Sequence, residues 1–374
     1  MRLRFSPMPP ADPSALRSAI CHLDADRGRL TYRGHDVREL AEHATFEDVA
    51  HLLVHGALPD RVERKHFTGA LRVAAPLSRE SRRLLQQLDP AGDDLFALRT
   101  AVSALPLQPP GPEGAPVPER LIAQVATLVA ARHRLREGLA PVRPRRSLGF
   151  AANVLHTLTG AVPAPALARA FDAALILRAD NELNPSAFAA RVTTSTAADL
   201  YGAVTAALAA LAGPRHGAHS ANALDMLLAV GEPDAVAAWV EARLAAGGKF
   251  PGFGHPVYRG EDPRTATVRR FADGACEAAG HPEWFALARA LEERVVERTG
   301  QYANVDYYLA TLYRACGLPR RLYGPVFAVA RITGWLAHCL EQATDPDLIR
   351  PRAEYVGPDH QDVRPAGRRR ARAS

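Results

Sequence analysis

Four polar residues of this 374-residue chain stand where a side chain can meet a ligand rather than bulk water. His255 lies in "KFPGFGHPVYRGEDPR", Lys249 to Arg264, among glycines that admit a ligand and arginines that suit an anion. His216 lies in "AGPRHGAHSAN", between Gly213-Pro214 and Gly217, where one helix ends and another begins. Such a junction leaves free amides and lets a side chain enter a cleft. Asp306 enters the aromatic, apolar run "YANVDYYLATLYRA", where partial desolvation is expected to raise its pKa toward that of a general base. Arg331, in "VFAVARITGWLAHCLEQ", borders the apolar stripe Ala328, Ile332, Trp335 and Cys339. It needs a counter-charge, either an internal acid or a bound carboxylate. The bland alternatives stay open: both histidines as helix caps, and Asp306 as the N-cap of its own helix.

The other histidines offer less. His51 and His55 have a spacing that suits metal ligands, but no H-E-x-x-H motif surrounds them, so a satisfied helix face is the better reading. Cys21, Cys276, Cys316 and Cys339 are widely spaced and form no C-x-x-C pair, as expected of thiols in a reducing compartment.

The elements that must position these residues are helical. In "ATFEDVAHLLVHGALPD" the residues Phe46, Val49, Ala50 and Leu53 form an amphipathic stripe. Thr45 with Asp48 caps its start, and Gly56 then Pro59 close it. "GRLTYRG" is the only early stretch with the look of a short hairpin, so the expected fold is all-α. "PLQPPGPEGAPVPER", from Pro106, reads as a surface loop between helices. The formal charge of +6 is mostly a tail, Arg364 to Ser374, with five arginines and no acid. With no recognition module beside it, nucleic-acid binding is not expected. No apolar run suits a signal peptide or a bilayer span, so the expectation is a cytoplasmic protein.

The segments "GPRHG", "GFGHPVYRGEDPR" and "NVDYY", in this order, resemble the signature segments of citrate synthases. The similarity runs from about Ala19 to Arg352. It implies a mostly helical homodimer: a large domain, residues 1–215 and 316–374, with an inserted small domain, 216–315, that closes over the substrates. Asp306 is then the base that takes a methyl proton from acetyl-CoA, and His216 stabilises the enol at the thioester oxygen. His255 hydrogen-bonds to the ketone of oxaloacetate and then protonates it. Arg264, Arg331 and Arg350 hold the carboxylates, Arg350 coming from the neighbouring subunit. Phe250, Pro251, Gly252, Phe253 and Gly254 cradle the CoA adenine, and Arg259 meets CoA phosphate. No metal or tightly held cofactor is implied; acetyl-CoA is a co-substrate.

One segment departs from the family. In "LRADNELNPSAFAARV", Asn181 stands where the family has an oxaloacetate-contacting histidine, and Arg178 where many relatives carry another. Asparagine can donate a neutral hydrogen bond but cannot become cationic. Three readings follow: a citrate synthase with altered acceptor affinity; a 2-methylcitrate synthase or related condensing enzyme with another acyl-CoA or 2-oxo acid; and a non-catalytic regulatory paralogue. The intact set His216, His255, Asp306 and the three arginines weighs against the last.

Overall fold

The computed structural model describes residues 16–108, 115–255, 257–258 and 260–358. Its one sheet among the described residues is a small antiparallel meander of Cys21–Asp24, Arg29–Tyr32 and His35–Asp36. The stretch expected to form a hairpin, Gly28–Gly34, instead supplies only the middle strand, Arg29–Tyr32, which pairs with a strand on each side of it. Everything else that is regular is helix.

Helix ends fall where local chemistry puts them. Thr45 and Asp48 form a reciprocal capping box on Phe46–His55, and Gly56 closes that helix in the left-handed conformation. The predicted stripe of Phe46, Val49, Ala50 and Leu53 is wholly buried. His51 and His55, on the same helix, bond to the Ala57 carbonyl and the Glu119 carboxylate, so both are satisfied structurally. All four cysteines are free and buried. Residues 109–114 of the proline-rich stretch lie outside the described residues; the helix Val117–Arg136 begins just after them.

The centre of the molecule is the helix Tyr323–Ala343, buried at every residue from Tyr323 to Cys339. A helix apolar nearly all round has no solvent face, and this one is enclosed by helices Phe46–His55, Val117–Arg136, Pro165–Arg178, Pro185–Ser195 and Leu200–Leu211. At Gly334 the chain segment after Pro165–Arg178 comes very close. A Cβ there would lie under 3.0 Å from the Ala179 carbonyl and from Asp180 Oδ1, so only glycine fits. The charged residues of the central helix are thereby brought against the 178–181 segment.

Candidate active site

Phe327 and Arg331 sit one turn apart on the buried central helix, and the 178–181 segment crosses them. Arg331 donates from Nε to the Arg178 carbonyl at 2.8 Å, satisfying a carbonyl at the end of Pro165–Arg178. Its two terminal nitrogens meet no protein acceptor among the described residues. Among the described residues no carboxylate comes within ion-pair distance of it, although Asp180 is near enough to be felt. Asp180 itself is committed to His338, 3.2 Å away, with both side chains fully buried. Burial, with Arg178 and Arg264 nearby, pushes the Arg331 guanidinium down to about 10. A buried guanidinium with two open nitrogens is a built anion site.

Arg178 and Arg331 both stand over one aromatic ring. Their guanidinium carbons stand 3.9 and 4.7 Å from the Phe327 ring centroid, and His216 meets the same ring edge-on at 5.7 Å. His216 occupies the turn between Leu200–Leu211 and His219–Val230, its amide bonded to the Gly213 carbonyl. It caps neither helix. Its Nε2 lies 2.7 Å from Ser186 Oγ, and that hydroxyl accepts from Trp335 Nε1 at 3.0 Å. Burial, then Arg331 and Arg178, push His216 down to about 3, so the ring is neutral at pH 7.

His255 is held differently. Its Nδ1 accepts from the backbone amides of Val257 and Tyr258, both at 3.2 Å. The neutral ring therefore carries its proton on Nε2, a fixed donor. Burial and the Arg264 charge push it down to about 4. The alternative of a cap is thus half right, because one ring nitrogen serves the turn and the other remains for a ligand.

Two backbone bonds lock the His255 loop to the segment that carries Asp306. Gly254 donates to the Tyr302 carbonyl at 2.9 Å, and Asn304 donates to the Gly252 carbonyl at 2.8 Å. Gly252 has φ +85°, and its Cβ would press on Tyr307 Cβ at 3.0 Å, so glycine is required by both conformation and space. Phe250 and Gly252 are buried, while Pro251, Phe253 and Gly254 are half-buried, with Phe253 packed on Tyr307 at 4.7 Å between ring centroids.

Asp306 is not the cap of its helix. Asn304 is, accepting from the Asp306 amide at 3.0 Å and leaving the Asp306 carboxylate free in the first turn of Val305–Ala315. Asp306 Oδ1 pairs with Arg178 Nη2 and accepts from Ser220 Oγ; Oδ2 has no protein partner among the described residues. The expected rise in its pKa is overturned. Burial acts in that direction, but Arg178, His219, Ser220 and Arg264 outweigh it and hold the carboxyl below the usual range. Sequence reasoning read the apolar neighbours of Asp306 along the chain and missed Arg178 and Ser220, which reach it from two other helices.

Arg264 is buried and forked onto Asp262, with Nε to Oδ1 at 2.9 Å and Nη2 to Oδ2 at 2.7 Å. That leaves Nη1 for a ligand. Asp262, within the quoted "EDPR", also accepts from the Val305 amide at 3.2 Å, so this pair ties the loop to the Asp306 helix again. Asn181 is half-buried, and its Oδ1 is enclosed without a donor among the described residues. Arg350 is exposed and joins no ion pair among the described residues, and Arg259 lies outside them. The fold thus brings together His216, His255, Asp306, Arg264 and Arg331, and adds Arg178, Ser186, Ser220 and Phe327. Among the described residues no cluster of three His, Cys, Asp or Glu side chains is arranged for a metal ion, and no helix is long and apolar enough to cross a membrane.

A neutral imidazole donor, a second neutral imidazole, a carboxylate and an open guanidinium within electrostatic reach can enolise a thioester beside a bound anion. Comparisons with known proteins agree with this chemistry. A profile of the family described as "Citrate synthase, C-terminal domain" matches residues 11–352. Citrate synthase from Haloferax volcanii is 39% identical over 94% of this chain and 96% of its own. 2-Methylcitrate synthase from Mycobacterium tuberculosis is 36% identical over 91% and 88%. Among solved structures, the ternary complex of Thermoplasma acidophilum citrate synthase with carboxymethyl coenzyme A and oxaloacetate superposes with TM-score 0.86 at 28% identity. That match covers 96% of this chain and 98% of the other. The chain belongs to the citrate synthase family, whose members are acyltransferases.

Proposed function

We propose that the protein condenses acetyl-CoA with oxaloacetate and hydrolyses the product to citrate and CoA. The observation that carries this reading is Arg331, a buried guanidinium with two open nitrogens, set on the same ring as His216 and Arg178. One carboxylate of the acceptor takes those nitrogens, and Arg264 Nη1 offers a second anchor. Asp306 Oδ2 removes a proton from the thioester methyl while His216 stabilises the oxygen of the resulting enol. The enol carbon attacks the acceptor ketone, whose oxygen meets the Nε2–H of His255. The acceptor's negative charges lift His255 back toward a proton donor, so that it can protonate the new alkoxide. Water then cleaves the thioester, releasing CoA. The imidazoles supply the electrophilic help, so the reaction needs no metal or tightly held cofactor.

Phe250, Pro251, Gly252, Phe253 and Gly254 face the CoA adenine in this reading, and Arg259 its phosphates. Residues 216–315 close over the substrates as a unit on the large domain of 1–215 and 316–374, keeping water from the thioester until the carbon–carbon bond exists. The protein acts as a cytoplasmic homodimer. The exposure of Arg350 suits a residue offered to a neighbouring subunit's site.

A second reading is favoured by Asn181. Its enclosed Oδ1 has no partner among the described residues, and a neutral amide where the family has a histidine suits a different 2-oxo acid. The test is CoA thiol release measured over a panel of acyl-CoAs against 2-oxo acids. The proposed function expects the highest kcat/KM for acetyl-CoA with oxaloacetate. No release with any pair from a folded protein would overturn it.

A further inference from the structure

The base proposed for this reaction is held in an ion pair. Asp306 Oδ1 is shared by Arg178 Nη2 and the Ser220 hydroxyl, and Arg178 Nη1 also contacts Ser220 Oγ at 3.2 Å. Arg178 is itself buried and stacked on Phe327, the ring that also carries Arg331. A guanidinium paired with a carboxylate makes that carboxylate a poor base, which works against abstraction of a weakly acidic methyl proton. The same guanidinium stands over the Phe327 ring with that of Arg331 and is near enough to act on it electrostatically, and the open nitrogens of Arg331 are the place best suited to the acceptor's carboxylate.

We infer that Arg178 is an electrostatic latch: it restrains Asp306 while the site is empty and turns to the acceptor's carboxylate once that anion is seated on Arg331. The inference rests on the condensation reading above. Acceptor and base compete for one cation, so an anionic acceptor frees the base only where it reaches Arg178. Asp306 gains basicity at the moment an electrophile is present to consume the enol. Arg178 thus has two roles: it binds the acceptor's carboxylate, and it acts on the reacting carbon only through Asp306.

The other groups facing Asp306 do not substitute for it. His219 and Ser220 approach from the His219–Val230 helix, Arg264 from the start of Thr265–Ala278, and His255 and His216 from their turns. Arg264 is committed to Asp262, and both of those histidines are neutral near pH 7. Among the described residues Arg178 is the cation in direct contact with Asp306.

The test is titration of the Asp306 carboxyl by carbon-13 NMR in aspartate-labelled protein, assigned by its loss in Asp306→Asn. It is run with and without a 2-hydroxy dicarboxylate that cannot condense. In the unmodified protein the latch predicts that the analogue raises the apparent pKa of Asp306 by at least about one unit. Arg178→Gln should start high and respond little, whereas Arg178→Lys should retain the response. An unmoved pKa in the unmodified protein overturns the latch with no reliance on a variant. So does an equal response in folded Arg178→Gln. Thiol release by the same preparation separates this outcome from failure of the condensation reading, since the reaction can proceed without a latch.

Discussion

The side chain of Asn304 touches both halves of the site: its Nδ2 donates to the Gly254 carbonyl at 2.8 Å, and its Oδ1 accepts from the Asp306 amide at 3.0 Å. One amide thus caps the helix that carries Asp306, the proposed base, and straps down the loop that carries His255. With the Gly254–Tyr302, Asn304–Gly252 and Val305–Asp262 bonds, it sets the relative placement of the two proposed catalytic groups.

Asn304→Ala removes a cap and a strap together. The expected cost is about 1–2 kcal/mol of stability, with kcat lowered at least about tenfold because His255 and Asp306 lose their register. Denaturant melts and steady-state kinetics on one preparation check this. A stability loss with kcat unchanged would remove the strap from the account.

Acid should weaken the fold before it titrates the site. His255 and His216 are pushed down to about 4 and about 3, against about 6.5 for an unfolded chain. Below 6.5 the unfolded chain binds protons that the folded one refuses, so stability falls as pH drops from about 6.5 toward 4. It is insensitive to these groups above that window. Urea melts at pH 7 and pH 5 should differ, and His255→Gln should narrow the difference. If the variant shows the full difference, His255 is not the group responsible.

The two buried arginines should behave in opposite ways. Arg264→Gln strands the carboxylate of Asp262 and should cost about 3–5 kcal/mol. Arg331→Gln breaks no ion pair, so the ligand-free protein should lose little stability while KM for the acceptor rises about 10- to 100-fold. A large stability loss in Arg331→Gln with KM unaltered would make Arg331 structural.

Much of this was legible in the chain. The capping box at Thr45 and Asp48, the helix break at Gly213-Pro214 and the glycine-flanked turn at His255 are local chemistry, and local chemistry survives in sequence. The partners were not legible. Arg178 stands 128 residues from Asp306, and Ser220 stands 86 away. Nothing along the chain announces that a cation will cancel the desolvation of Asp306. The apolar neighbours of Asp306 pointed toward a raised pKa, and the fold reversed the sign.

Asn181→His should restore a cationic contact and lower KM for oxaloacetate by about tenfold, the scale of one hydrogen bond to a charged group. Initial rates at saturating acetyl-CoA measure it. An unchanged or higher KM would detach Asn181 from acceptor recognition.

The most direct measurement is CoA thiol release by the purified protein with acetyl-CoA and oxaloacetate, each alone and both together. Release only when both are present, and its loss in Asp306→Asn, is the predicted result. A folded protein that releases no thiol with both, or releases it equally without oxaloacetate, would contradict the condensation reading.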